Sequence, residues 1–356
     1  MKRFFSTLTL FSVLFGQQYD QLFIGTRPLS MGGAFIAVAD DANTISWNPA
    51  GLPGLRRTEF TTTYADLYAM GITQSYMGFV RPFSDRVALG FDWSNIGFDD
   101  KELLYAENKM NLAIGVQPHR KFSFGITLKY LMRDMQLDGT SYGKSSGVGY
   151  DAGILIQPLK NLKLGVGLYD LGGTQVAYKD KTNETILGQA FKLGISYMPI
   201  DELILAADYG DRFHFGAEYV LASRLSFRAG VQQDVTGNEK LLVPSGGLSI
   251  KFKSLIVEYG YESHPYLEPT HRFSFALQFS PAVVSITSTV ISHNPVFRSL
   301  HRYYESETFL KVGLKNISDA DLPVDVSLYV PTMMDNPHSQ SVTLPPKSEE
   351  EYDIGV

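Results

Sequence analysis

The chain has 356 residues, of which 19% are charged and 13% aromatic, with a net charge of −6 and no cysteine. The negative balance argues against nucleic acid as a partner, because phosphate binding requires a concentrated basic face. The absence of cysteine excludes disulfides, thiolate metal ligands and cysteine nucleophiles. The aromatic residues, 20 Tyr and 23 Phe, exceed what a soluble core usually requires and are typical of the interfacial girdles of membrane barrels.

The first 16 residues have the pattern of a secretory signal peptide. Lys2 and Arg3 form the charged start, residues 4–15 form the apolar stretch, and Gly16 is the expected cleavage point. Later in the chain, no run approaches the roughly 18 apolar residues of a membrane helix. If the protein crosses a membrane it must therefore do so as strands, and those strands must close on themselves because lipid cannot satisfy an open sheet edge.

The next segment, residues 17–56, lacks the alternation of the strands that follow it. Residues 27–39 predict a short helix rich in small residues, with Ser30 as a candidate cap. Asp40 and Asp41 would oppose the dipole at the end of that helix, so we expect them to cap the next turn or to face basic groups. Cation binding by this pair is the less favoured alternative.

Between residues 57 and 280 the sequence alternates apolar and polar residues, which is the period of a β-strand with two unlike faces. Met110, Leu112 and Ile114, for example, alternate with small or polar residues. Fourteen strands are predicted, near 58–66, 71–82, 86–97, 107–118, 121–133, 147–158, 161–170, 187–199, 201–209, 213–221, 224–234, 241–252, 254–262 and 271–280. An even number of such strands predicts a closed, antiparallel, transmembrane β-barrel.

The connections and the charges support the same interpretation. Short turns alternate with longer polar segments, such as 98–106 and 134–146, as in outer-membrane barrels with short periplasmic turns. The charged residues fall on the face that we assign to the lumen, because on lipid a midplane Lys or Arg would cost about 2–4 kcal/mol. The predicted luminal residues are Asp92, Lys129, Asp151, Lys192, Asp208, Glu218, Arg228, Glu258 and Arg272. A soluble sandwich or propeller is the alternative fold.

Many residues of the luminal face are glycines, which weaken a strand, so we expect them to leave room for something inside the barrel. The compact segment 17–56 is the natural occupant, and we interpret it as a plug. Its predicted motif residues are Ser30, Met31, Gly32, Gly33, Asp40, Asp41, Trp47, Asn48, Pro49, Ala50 and Gly51.

The sequence from Ser30 to Leu52 resembles the N-terminal motif of the FadL-like outer-membrane superfamily, and is most similar to its PorV/PorQ branch. Two further stretches, Phe215–Tyr219 and Thr270–Phe275, are similar to strands of that branch. The resemblance covers roughly residues 20–280 and implies a fourteen-stranded barrel with an N-terminal hatch. It leaves the function open, because relatives include importers of hydrophobic compounds and components of secretion systems.

After the barrel, residues 281–306 are predicted to be a connector and residues 307–356 a small immunoglobulin-like β-sandwich module. The module offers four or five strands where that fold needs about seven. It is therefore either minimal or truncated, or it borrows strands from a partner. An even number of crossings returns the chain to the side from which it started, so both termini are expected in the periplasm.

No catalytic motif, cofactor motif or metal-ligand motif accompanies the seven histidines. His214 has Asp208 on the neighbouring predicted strand and His271 has Glu268 nearby, but nothing fixes a serine beside either. The sequence therefore predicts a non-enzymatic protein of the bacterial outer membrane, in contact with lipid and without a cofactor. The lead prediction is a PorV-like component that handles secreted-protein or lipid-bearing cargo, with protein partners bound through the C-terminal module.

The alternative is a FadL-like passive transporter of long-chain fatty acids or other hydrophobic molecules. In that case the Asn48–Ala50 turn would shift, and the ligand would leave sideways at a strand kink. The apolar pocket that this requires would come from Leu29, Phe35 and Ile36 of the plug, or from loop residues Leu103, Leu104, Tyr105 and Leu137.

Overall fold

The computed structural model describes residues 24–99, 103–137, 140–178, 183–234, 241–279, 284–291, 310–318, 321–329 and 338–354. The predicted signal peptide, 1–16, and residues 17–23 lie outside this part of the chain. The molecule divides into two compact units, Met1–Ser280 and Pro281–Val356, each with its own core. None of the described helices is long and apolar enough to cross a membrane.

Within the first unit, the described residues form three short helical elements followed by strands. The helices are α1 (Thr26–Ser30) and α2 (Thr44–Trp47), followed by a 3-10 helix (Pro49–Gly54). The strands of this unit are β1 (Thr58–Leu67), β2 (Ile72–Ser84), β3 (Val87–Asp99), β4 (Leu103–His119), β5 (Phe122–Leu137), β6 (Thr140–Leu159), β7 (Leu162–Tyr169), β8 (Thr174–Tyr178), β9 (Asn183–Leu187), β10 (Ala190–Ile200), β11 (Leu203–Tyr209), β12 (Arg212–Leu221), β13 (Leu225–Asp234), β14 (Leu242–Phe252), β15 (Leu255–Glu262) and β16 (Thr270–Phe279).

These strands close into an antiparallel barrel. Each barrel strand pairs with its neighbours, β1 pairs with β16, and β5 pairs with β6, which leaves no open edge. The hairpin β8–β9 is attached to β6 outside the ring, and β7 pairs directly with β10. The structure thus confirms the prediction of a fourteen-stranded antiparallel barrel.

The outer face of the barrel is apolar, and it is exposed. On β5 the outward side chains from Phe122 to Tyr130 are 36–50% exposed, and on β16 Phe273, Phe275 and Phe279 are more than half exposed. The stretch 122–132 rises about 33 Å and, at a tilt of about 40°, covers about 25 Å, the height of the apolar band of an outer-membrane barrel. Such a continuous apolar surface is stable only against another apolar phase.

One end of the barrel, here called the turn end, carries the tight turns at 85–86, 120–121, 160–161, 201–202, 222–224 and 253–254. The chain enters β1 and leaves β16 at this same end. The opposite end differs from the expectation. The predicted loops 98–106 and 134–146 are largely strand, because β3–β4 and β5–β6 continue as paired hairpins. Ion pairs between strands, such as Lys144–Asp134 at 2.9 Å, stabilise these extensions.

The described residues of the second unit form five short strands in two sheets. Sheet β17 (Val284–Ile291), β18 (Leu310–Asn316) and β21 (Glu349–Ile354) packs with sheet β19 (Leu322–Leu328) and β20 (His338–Leu344). Val312, Leu314, Leu344 and Ile354 form its buried centre.

The expected connector 281–306 is wrong in its first half, because Val284–Ile291 pairs with β18 as strand β17. Although prolines flank this stretch, its β-branched residues favour a strand.

Candidate functional site: the occupied lumen

The inside of the barrel is filled by residues 24–57, here called the luminal segment. Leu29, Met31, Phe35 and Trp47 are each at most 1% exposed, and the Phe35 and Trp47 rings meet edge to face at 6.0 Å. The expected helix over 27–39 is wrong beyond Ser30, because Gly32 and Gly33 adopt positive φ angles of 63° and 77°. Ser30 is not an N-cap, since its hydroxyl donates to the Thr26 carbonyl one turn earlier at 2.8 Å.

A ring of inward glycines contacts this segment. A Cβ atom at Gly125 would lie 2.4 Å from the Pro49 carbonyl, and one at Gly230 would lie 2.0 Å from the Gly32 nitrogen. Such separations are far below van der Waals contact, so the backbones of wall and segment touch. The same close approach to the luminal segment recurs at Gly90, Gly115, Gly153, Gly165, Gly194, Gly216, Gly247 and Gly260.

The motif residues Trp47–Gly51 hold the middle of the segment. The Trp47 indole donates to the Ile24 carbonyl at 2.9 Å. The Asn48 amide donates to the Ile36 carbonyl at 2.8 Å, and its oxygen accepts from the Ala50 N–H at 3.1 Å. A Cβ atom at Gly51 would collide with the Ala39 carbonyl at 2.0 Å, so only glycine fits there. Proline, glycine and asparagine are therefore used here for backbone geometry.

Several luminal acids bind the segment directly, and Asp208 and Asp92 do so without a cation. Asp208 accepts the backbone N–H groups of Phe35 and Ile36 at 2.7 and 2.8 Å. Asp92 accepts the Ser46 hydroxyl at 2.6 Å. Both acids are at most 3% exposed, so they act as fixed acceptors for backbone and hydroxyl groups that would otherwise be buried without partners.

Arg27 is the centre of a charge cluster at the turn end. Its guanidinium contacts Asp40 at 2.5 Å, Asp41 at 3.0 Å and Glu218 at 2.6 Å. Burial lowers the pKa of Arg27, but these three carboxylates outweigh it and raise the pKa above its usual value. Both roles expected of the two aspartates occur. They face a basic group, Arg27, and Asp41 also accepts the Asn43 N–H at 2.8 Å and so caps the following turn.

The wall continues this cluster. Arg228 lies 3.3 Å from Glu218 and 2.9 Å from Glu258, and all three side chains are at most 8% exposed. Arg27 is the only segment residue of the network that carries a positive charge, and it joins the acids of the segment to those of the wall. The motif predicted from the sequence begins at Ser30 and does not include Arg27. The pairing of Arg27 with Glu218 spans 191 positions, so no local pattern indicates it.

Nearer the opposite end, a second cluster surrounds the point where β7 ends and the chain bends toward β8. Lys129 contacts Asp151 at 2.7 Å and Asp170 at 2.5 Å, and the Asp170 N–H donates to Asp151 at 2.8 Å. Asp170, with φ of 49°, ends β7 and starts the bend that leads to β8. The buried Lys192 lies 3.7 Å from Asp211 and 5.6 Å from the centre of the Trp47 ring. Asp170 is not among the predicted luminal residues, because it lies at the bend after β7, where the alternation of apolar and polar residues no longer identifies luminal positions.

Two cavities at the turn end are lined by described residues; the larger is mainly polar, and the smaller has a mixed polar and apolar lining. The larger, about 290 Å³, lies among the Arg27 and Arg228 clusters; the smaller, about 110 Å³, lies between Asp40, Arg120 and Lys163. The apolar pocket expected from the plug is not formed by Leu29, Phe35 and Ile36, which are fully buried in the core. The side chains of Leu103 and Leu137 lie outside the described set.

The histidine pairings show no catalytic arrangement. The His214 ring nitrogen Nδ1 bonds the Gly32 carbonyl at 2.7 Å, which makes it a support for the luminal segment. His271 faces outward and shares a 2.7 Å hydrogen bond with the Tyr259 hydroxyl. Within the described ranges, no group of three or more His, Asp or Glu side chains has the arrangement of a metal site.

These features define a class: a closed antiparallel β-barrel with an apolar outer band and a polar, occupied interior. Three solved structures share this fold. The CymD monoaromatic hydrocarbon channel matches with a TM-score of 0.58 at 16% identity, over 74% of this chain and 99% of that one. The Ralstonia pickettii toluene transporter TbuX matches with a TM-score of 0.55 at 13% identity, over 73% of this chain and 99% of that one. A Pseudomonas aeruginosa FadL homologue matches with a TM-score of 0.53 at 12% identity, over 74% of this chain and 100% of that one.

At these identities the likeness establishes the fold alone. No protein-family model and no curated protein sequence matches the chain. The matched structures are covered almost completely, whereas about a quarter of this chain lies outside each alignment.

Proposed function

We propose that the protein is a FadL-like barrel of the bacterial outer membrane that passes small hydrophobic molecules, with the luminal segment as its plug. The observation that carries the proposal is the combination of a lipid-facing barrel with a lumen closed by its own N-terminal segment. The structures that share this fold include a monoaromatic hydrocarbon channel and a toluene transporter, which favours this alternative over handling of secreted cargo. The turn end then faces the periplasm, and both termini lie there.

We expect passage to require that the plug move, because plug and wall are in close contact at luminal glycines such as Gly125 and Gly230. The absence of cysteine allows the plug to be locked by an introduced disulfide. The hydroxyls of Thr26 in the plug and Ser274 in the wall are 2.5 Å apart, and that of Thr63 on the neighbouring strand is 2.6 Å from the same serine. Because the hydroxyl groups are in hydrogen-bond contact, we expect cysteines at these positions to come close enough to be cross-linked.

The test is uptake of radiolabelled toluene and oleate by Gram-negative cells that express the protein. We expect uptake above that of cells without it. Thr26→Cys with Ser274→Cys should stop uptake when oxidised and restore it when reduced. Thr63→Cys with Ser274→Cys joins two strands that are already paired and should have no effect. Uptake no faster than in control cells would refute the transport function, and uptake unaffected by the first disulfide would refute plug movement.

A second function is favoured by the separate unit Pro281–Val356, which lies outside the matched barrels. A passive channel has no evident use for it, so we also propose that it binds a protein of the envelope. Affinity capture from native membranes, with and without residues 281–356, tests this. A partner that is captured only with the complete chain supports the proposal, and identical sets of captured proteins contradict it.

A further inference from the structure

Arg272 on β16 is a buried cation that forms no short ion pair with any of the described residues. Its side chain faces the lumen and is 2% exposed, and neither Nε nor Nη1 has a hydrogen-bond partner among the described residues. In contrast, Arg27, Lys129, Lys192 and Arg228 each form ion pairs with carboxylates. A buried guanidinium without a direct ion pair is costly, because attraction to a more distant carboxylate offsets only part of the desolvation.

A second unpaired side chain lies at the same level of the barrel. Gln74 on β2 is 2% exposed, and neither atom of its side-chain amide has a partner in the described structure. Arg272 is the register partner of Ala65, and Ala65 is the register partner of Gln74. The two polar side chains therefore project from strands about 10 Å apart, on either side of a single methyl group.

The neighbouring polar groups are already engaged. On the side of the turn end, the Ser274 hydroxyl bonds those of Thr26 and Thr63. On the other side, the Thr270 hydroxyl accepts the Tyr68 N–H at 3.2 Å. Gly260, the other register partner of Arg272, has no side chain to offer. Glu262, two residues further along β15, makes no ion pair with Arg272 in the described part of the chain.

We propose that Arg272 and Gln74 form a binding site for a compact inorganic anion, across the seam where the first and last strands of the barrel meet. The planar guanidinium presents two N–H donors, and charge-assisted bonds to it are the strong ones. The amide adds a third donor, and its oxygen can accept from a protonated oxyanion such as hydrogen phosphate. Ala65 and Gly260, the register partners of Arg272, carry at most a methyl group, so neither side chain offers the guanidinium a polar partner of its own.

The site has a structural consequence that does not depend on transport. An anion there would tie β16 to β2 across β1, and so would stabilise the closed barrel by mass action. The test is thermal unfolding of the full-length protein in detergent, with sodium gluconate replaced stepwise by sodium bromide or sodium phosphate at constant ionic strength and pH. We expect the melting temperature to rise with at least one of the two anions and then to level off.

Three variants assign the effect to the site. Arg272→Gln should abolish the dependence on the anion. Gln74→Leu removes only a neutral donor and should weaken binding by roughly ten- to a hundred-fold, as expected for one hydrogen bond to a charged group. Glu262→Gln should bind at least as tightly as the unaltered protein. Arg56→Gln, a control at a side chain 61% exposed at the turn end, should leave the dependence unchanged.

A bromide soak gives an independent readout, because an anomalous peak should lie between Arg272 and Gln74. If that peak is absent and neither anion shifts the melting temperature, the site holds water alone and the proposal is wrong. Equal anion dependence in the unaltered protein, Arg272→Gln and Gln74→Leu would also overturn the proposal. Anion binding seen only in Glu262→Gln would identify Glu262 as the true counter-charge and contradict the site. If Arg272→Gln fails to fold, Gln74→Leu and the soak decide the outcome.

Discussion

The change Gly125→Ala measures how tightly the barrel wall contacts the luminal segment. The added methyl group would lie 2.4 Å from the carbonyl carbon and oxygen of Pro49 and 2.7 Å from the Ala50 nitrogen. These are backbone atoms inside a buried 3-10 helix, so they cannot swing away as the end of a side chain could. Overpacking of this kind costs about 1–3 kcal/mol. At about 2–4 °C per kcal/mol, as for domains of 150–250 residues, the melting temperature should fall by about 2–12 °C.

The assay is thermal unfolding in detergent, followed by circular dichroism, with single-channel recording on the same preparation. Gly54→Ala is the matched control, because a Cβ atom there meets nothing within 4 Å and the glycine does not have a positive φ angle. We expect this control to unfold like the unaltered protein. If Gly125→Ala unfolded at the same temperature as the control and showed the same conductance, close contact between wall and segment would be refuted.

Three further changes test other parts of the structure. Leu128→Arg, in the middle of the apolar band, should cost about 2–4 kcal/mol in urea titrations of folding into lipid vesicles, whereas Phe83→Arg beyond the band should cost about 0–1 kcal/mol; equal costs would contradict the assignment of faces. Arg27→Met leaves Glu218 and the two aspartates without their shared cation, which for a buried pair costs about 3–5 kcal/mol. The open fraction in planar bilayers should rise, and an unchanged fraction would show that this cluster does not hold the segment. Deletion of 281–356 should leave the barrel's melting temperature unchanged, because each unit has a core of its own, and a fall of several degrees would show that the cores depend on each other.

The period of two was sufficient to predict the fourteen strands and their faces. It works because a strand sends successive side chains to opposite sides, so a lipid-facing row and a luminal row appear directly in the sequence. Leu128 and Lys129, neighbours in the chain, lie 43% and 1% exposed. The same rule failed at the hairpin extensions, because beyond the membrane both faces are wet and polarity no longer distinguishes strand from loop.

The partners of the buried charges could not be read from the sequence. Arg27 meets Glu218, and Thr26 meets Ser274, only because the segment folds back into a closed ring of strands. For the inward glycines too, the sequence shows one feature and only the tertiary structure shows the other. Their inward placement follows from the alternation, but which of them touch the segment depends on how the segment is coiled inside the barrel. The local pattern determined which way each side chain points, and the three-dimensional closure of the barrel decided what it meets.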